Sequence, residues 1–204
     1  MIKKYKILAA GDLHGDITQV KKLADQAEKE NVDLVVLCGD ITHTDKSTEN
    51  LIGPFVKKNK KVLLIPGNHE SIATIDFLAE LYGATNLHGY SFNLGRIGLF
   101  GCSGVNLGLH KLPEEEILNL LTKGFERVKD LQTKIMVTHV HPDGIKMGEF
   151  TKWFEGSKGV KQALNKLQPD ILLCSHVHEA EGVEEIVGKT RIINVGRTGK
   201  IIEI

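Results

Sequence analysis

The chain has 204 residues, 41% hydrophobic and 25% charged, the make-up of a globular domain able to bury about 70% of its unfolded surface. Lys plus Arg and Asp plus Glu both number 26, so the net charge is zero and no broad basic field draws the chain to nucleic acid or an anionic membrane. No run is long enough to span a bilayer, the start MIKKYKILAAGD has no signal-peptide core, and three cysteines (Cys38, Cys102, Cys174) are too few for a disulfide framework, so a cytoplasmic chain is expected.

Ile7 to Gly11 is a short apolar run without polar alternation, which reads as a strand buried on both faces. It ends in Asp12, Leu13, His14, Gly15 and Asp16. Residues 17–30 carry Ile17, Val20, Leu23, Ala24 and Ala27 at helical spacing, with Asp16 or Thr18 as cap. Asp33 to Cys38 is a second buried strand ending in Gly39 and Asp40, and a polar loop then leads to a helix ending near Lys58. Lys61 to Ile65 is a third strand, ending Pro66, Gly67, Asn68, His69, Glu70; a helix over 71–82 follows, stopped by Gly83.

The second half is richer in hairpins. Tyr90–Leu94 and Arg96–Gly101 read as paired strands around Gly95, followed by a glycine-rich loop over 102–112. Pro113 and three glutamates predict a long helix reaching about Asp130, with acids at the positive end of its dipole. Lys134–Thr138 is a strand running into His139. A loop over 141–156 holds Phe150, Trp153 and Phe154, expected to pack within it, and Ser157 caps a helix to Leu167. Ile171–Cys174 runs into Ser175, His176, Val177 and His178. Two last strands, near Arg191–Val195 and Lys200–Ile204, flank Gly196 and Gly199. One α/β domain over 1–204 is expected.

Taken singly, Asp12 is a turn residue, Asn68 a loop amide and His139 a strand-end histidine. Together, Asp12, His14, Asp40, Asn68, His139, His176 and His178 all follow apolar strand-like runs. Strands sharing a direction bring such ends to one edge of a sheet, where α/β proteins bind ligands. Mixed imidazole and carboxylate donors suit Mn²⁺, Fe or Zn²⁺ better than Ca²⁺ or Mg²⁺. Seven donors exceed one tetrahedral site but fit two divalent ions sharing a carboxylate, the clamp used for phosphoryl displacement by an ionised water.

The ordered motifs GDLHGD, CGD, GNHE, THVH and SHVH, over residues 11–178, resemble the signature of the calcineurin-like metallophosphoesterases. The resemblance implies a four-layer αββα sandwich of two mixed β-sheets flanked by helices. It implies that Asp12, His14 and His178 hold one metal, that Asn68, His139 and His176 hold the other, and that Asp40 bridges them. His69 would be no ligand but the catalytic imidazole, stabilising the transferring phosphate or protonating the leaving oxygen. The last motif has Ser175 where the family usually has Gly.

The protein phosphatase branch would carry a second Asp and an Arg after the bridging Asp. Here Ile41, Thr42, His43, Thr44 and Asp45 follow, so a small phosphodiesterase-like member is expected instead. His43 takes the place of that Asp and is expected to orient His69. The expected substrate is a small phosphodiester or phosphomonoester, contacted by Asn68 and by His141, with a homo-oligomer left open. The alternatives are a nuclease of the repair branch and a non-catalytic scaffold. His88 and His110 read as structural or solvated residues, and Arg197 as part of a surface turn.

Overall fold

The computed structural model describes residues 3–151 and 155–204. The first half runs β1 (Lys6–Ala10), α1 (Ile17–Lys29), β2 (Leu34–Leu37), α2 (Gly53–Lys57), β3 (Val62–Leu64), α3 (Ile72–Tyr82) and β4 (Thr85–Asn86). The second runs β5 (Ser91–Leu94), β6 (Ile97–Gly101), α4 (Glu114–Glu126), β7 (Thr133–Val137), α5 (Lys158–Leu167), β8 (Ile171–Cys174), β9 (Glu184–Val187), β10 (Thr190–Asn194) and β11 (Lys200–Glu203).

Two mixed sheets result, in the orders β11-β1-β2-β3-β4 and β5-β6-β7-β8-β10-β9. The period-2 geometry of the strands explains the layers. On β1, Ile7 and Ala9 face the second sheet, meeting Leu99, Val137, Leu173 and Ile193 across the interface. Leu8 and Ala10 point the other way, packing with Val20, Leu23 and Ala24 of α1 and Phe55 of α2. On β6 and β7, Phe100 and Met136 face outward onto Ile117 and Leu121 of α4 and Val160 and Leu164 of α5. Both faces of the inner strands are therefore covered, which is why their sequences are unbroken apolar runs. The architecture is the expected four-layer αββα sandwich. Among the described residues, no helix is long and apolar enough to cross a membrane.

The helix ends follow local chemistry. Asp16 caps α1, its Oδ1 accepting from Gln19 N (3.0 Å), and Ser71 and Ser157 cap α3 and α5 in the same manner. Gly83 closes α3 in the left-handed region at φ +62°. The helix predicted to reach Asp130 stops at Glu126. Gly124 lies against the Tyr90 carbonyl, and the next amides turn to the tighter bonds Val128 N to Phe125 O (2.9 Å) and Leu131 N to Val128 O (3.0 Å). The short strands β4 and β9 carried no predictive pattern. Strand β9, Glu-Glu-Ile-Val at a sheet edge, exists only through its antiparallel pairing with β10. Phe150 is half exposed rather than packed, and Trp153 and Phe154 lie outside the described residues.

His88 is structural. It is buried, and its Nδ1 accepts from Ser103 N (3.1 Å), tying β4 to the loop after β6. Burial pulls its pKa down to about 4. The unfolded chain, near 6.5, then binds this proton more readily, so the contribution is complete above pH 6.5 and is lost as pH falls toward 4. In denaturant unfolding of metal-free protein between pH 7.5 and 4, wild type is expected to lose on the order of 3 kcal/mol more than His88→Gln. Equal losses in the two proteins would show that His88 does not titrate in this way.

Candidate metal centre

Strands β1, β2 and β3 are mutually parallel, as are β6, β7, β8 and β10, and the carboxyl ends of both sets open on one edge of the sandwich. The loops there are hung on one another. Asp12 N donates to Gly39 O (3.1 Å), His14 N to Asp40 O (2.8 Å) and His139 N to Ser103 O (2.8 Å). Asp12, His14, Asp40 and His176 all adopt left-handed backbone, at φ +54°, +46°, +50° and +72°. Each such non-glycine residue costs roughly 1–2 kcal/mol, which the surrounding hydrogen bonds must offset. Gly67 makes room for Asp40, since a Cβ there would stand 2.1 Å from Asp40 Oδ1.

Asp40 is the centre of the cluster. Its Oδ2 lies 3.4 Å from His139 Nε2, 3.8 Å from His14 Nε2 and 3.9 Å from His69 Nε2, while Oδ1 accepts from His69 N (3.0 Å). On one side, the donor atoms of Asp12, His14 and His178 lie within 4.8 Å of one another; on the other, those of Asp40, His139 and His176 do so. His14 Nε2 faces His178 Nε2 at 3.4 Å, and His176 Nδ1 faces His139 Nε2 at 3.2 Å. Asn68 Oδ1 approaches His139 Nε2 at 3.0 Å.

The charges are coupled. Burial opposes ionisation of Asp40, but His139 and His69 together outweigh it and hold the carboxyl well below the usual range. Burial likewise favours neutral His139, yet the Asp40 charge and hydrogen bond push this imidazole up to about 9. His176 moves to about 3, through burial and then repulsion from His139. The other nitrogen of His139 is held, with Nδ1 2.9 Å from Cys38 O and 3.0 Å from Ser175 Oγ. An Nδ1–H donated there leaves Nε2 as the ligand atom.

Two small cavities open on the cluster. One, of about 140 Å³, is lined by His14, Asp40, Asn68, His69, His176, His178 and Glu179; the other, of about 110 Å³, by Asp12, His14, His178, Glu181 and Arg197. A larger cleft of about 770 Å³, between Asn106 and the 143–151 segment, is lined by Asp143, Glu149 and Glu155, which belong to no candidate metal-holding group among the described residues.

A sequence model described as calcineurin-like phosphoesterase matches residues 5–180. The chain belongs to the calcineurin-like phosphoesterase family. It is 29% identical over 206 residues to the uncharacterized protein MJ1162 of Methanocaldococcus jannaschii, covering 95% of this chain and 89% of that protein. Its fold is similar to that of TT1561 of Thermus thermophilus, at TM-score 0.76 and 15% identity, covering 99% of each chain. It is also similar to a dimetal phosphatase from Danio rerio, at TM-score 0.62 and 12% identity, covering 94% of this chain and 87% of that one. A structure described as a novel archaeal phosphodiesterase aligns at TM-score 0.56 and 15% identity, covering 98% and 99%.

In this calcineurin-like phosphoesterase the residues present fit divalent metal. Imidazole nitrogens facing each other at 3.2–3.4 Å around buried carboxylates need a cation or a proton between them, and the nitrogen–oxygen donor set suits first-row ions. All seven residues named from the sequence converge here. His69 stands beside Asp40 on the same cavity. His43 is exposed at the rim, its ring centroid 5.3 Å from that of His69, with no hydrogen bond joining them among the described residues. His141, expected to touch substrate, is instead 1% exposed and lines neither cavity at the centre; its ring is closed off from solvent beside Gly148. His110, expected to be solvated, is partly buried with Nε2 3.6 Å from Asp45 Oδ2.

The residue that sequence reasoning passed over is Glu70, the last letter of GNHE. It is fully buried and its carboxylate accepts from Asp40 N (3.0 Å), Gly67 N (2.9 Å), Thr42 N (2.6 Å) and Thr42 Oγ1 (3.0 Å). It ties the loop after β2 to the loop after β3. Burial and the Asp40 charge push its pKa up to about 7, against these hydrogen bonds. An acid directly after Asn-His in a strand-end loop was the available signal. Glu70→Gln turns an amide N–H toward backbone donors, so a loss of about 1–3 kcal/mol in unfolding free energy is expected. Metal affinity should fall about 10–100-fold, as for outer-shell partners elsewhere. A metal titration matching wild type would refute this role.

Proposed function

We propose that the chain, acting as one domain, hydrolyses a small phosphodiester or phosphomonoester with two divalent ions. Asp12, His14 and His178 would hold one, Asn68, His139 and His176 the other, and Asp40 would serve both. The observation that carries this reading is the Asp40 carboxylate standing between the two donor groups, within 3.4–3.9 Å of imidazoles from three separate loops. Bound ions would supply charge neutralisation for phosphate oxygens and a water ionised near neutral pH. The chain's own residues orient the ester, with Asn68 and His69 facing the cavity, and His69 offers a proton to the leaving oxygen. The net charge of zero favours a small ester over duplex DNA; tight DNA binding with a steep salt dependence would point to a nuclease instead.

Elemental analysis after reconstitution with Mn²⁺ is expected to find two ions per chain, and chelator should abolish hydrolysis of bis(p-nitrophenyl) phosphate. Asp40→Asn should lose metal and activity together. Hydrolysis by protein shown to carry no metal would overturn the reading, and a wild type that takes up none would support a scaffold.

His69→Ala is expected to keep both ions and lose about 10²–10⁴-fold in kcat on esters with poor leaving groups, the usual worth of general acid catalysis. The loss should shrink with nitrophenolate, which leaves without a proton. His43, through ring contact alone, positions His69, and His43→Ala should shift the pH profile of the poor-leaving-group reaction by a smaller version of the same effect. Metal loss in His69→Ala would make His69 a ligand, and an unchanged profile in His43→Ala would remove His43 from the mechanism.

A further inference from the structure

The cavity of about 110 Å³ shares His14 and His178 with the one that holds Asp40, Asn68 and His69, so the two adjoin at the metal centre. Among the described residues lining the two, Arg197 is the one lysine or arginine. Its position is built rather than left to a mobile turn. Gly196, at φ +53°, accepts through its carbonyl from Gly11 N (2.8 Å), one residue before Asp12, and its own N–H donates to Asn194 Oδ1 (3.1 Å). Arg197 O accepts from Gln19 Nε2 (3.0 Å), and one guanidinium nitrogen pairs with Asp16 Oδ2, whose other oxygen caps α1.

A guanidinium has five N–H donors in a planar fork, and the Asp16 contact engages one nitrogen. A half-exposed ion pair stabilises a protein by at most about 1 kcal/mol, so fold stability is a weak reason for this arrangement. Two carboxylates, Asp12 and Glu181, also line this cavity, each with a partner of its own. Glu181 accepts from Thr198 N (2.7 Å) and from its hydroxyl, and Asp12 faces His178 Nε2 at 3.7 Å. The volume is ample for a phosphate- or carboxylate-sized group.

We propose that this cavity is the subsite for a second anionic group of the substrate, a few bonds from the scissile phosphorus, with Arg197 as the residue that selects it. The proposal rests on the phosphoesterase reading and narrows its substrate class to phosphoesters that also carry a phosphate or carboxylate.

The test is calorimetric titration of Mn²⁺-loaded protein with three non-hydrolysable probes: propylphosphonate, 3-phosphonopropionate and propane-1,3-diphosphonate. Wild type is expected to bind one or both of the doubly anionic probes at least about tenfold more tightly than propylphosphonate, the worth of one charged hydrogen bond. The better of the two names the second anion as carboxylate or phosphate. In Arg197→Gln, with an unchanged melting temperature, the ratio should fall to near one. In Arg197→Lys, which keeps charge without the fork, it should be intermediate. A ratio near one in wild type, or one that survives in Arg197→Gln, overturns the proposal. Failure of all three probes to bind overturns it together with the phosphoesterase reading. An Arg197-dependent ratio in protein inert toward bis(p-nitrophenyl) phosphate upholds the subsite and removes only the hydrolase reading.

Discussion

Two buried carboxylates one loop apart, Asp40 and Glu70, set the terms for this structure. Asp40 lies at the edge of the sandwich, out of water, and is kept ionised by the imidazoles around it. Glu70 lies behind it and is pushed toward neutrality by burial and by Asp40 itself. A buried charge is tolerated only when it is paired or hydrogen-bonded. Asp40 has His139 and the His69 amide, and Glu70 has four donors drawn from two loops. The same bonds that keep these acids inside hold the loops at the distances a metal centre requires.

The sandwich is the frame that makes such an arrangement rigid. Strands β1, β2 and β3 present their ends from one sheet, and β7 and β8 present theirs from the other, so the candidate ligands of a single centre come from both layers. The packing of Ile7 and Ala9 against Val137 and Leu173 thereby sets the separation between Asp12 and His139. Left-handed backbone at Asp12, His14, Asp40 and His176 shows that the site is assembled against local preference.

Ser175 shows how a change in sequence is absorbed. Its hydroxyl donates to Cys38 O (2.9 Å) and lies 3.0 Å from His139 Nδ1, so the residue that departs from the family pattern also helps to hold a ligand ring. Space for it comes from Gly11, where a Cβ would stand 2.5 Å from that hydroxyl.

Much of this was written in the residue types. Apolar runs of four or five residues, each ending in Asp, His or Asn, determined the buried strands and the seven candidate ligands, because a strand buried on both faces leaves only its end for polar chemistry. Helix caps at Asp16 and Ser157 were equally local, since one side chain and one nearby amide decide them. Tertiary structure alone decided what depends on distant partners. The last two strands are neighbours in sequence but belong to different sheets, β10 beside β8 and β11 beside β1, and Gly196 carries the chain across. Glu70 looked like one more loop acid until four donors from residues 40, 42 and 67 closed around it. His141 looked like a neighbour of the site by its spacing from His139, yet the turn holding Gly148 covers it. Residue type states what a side chain can do; which groups surround it is settled only when segments far apart in the chain pack together, because burial and charge act through space.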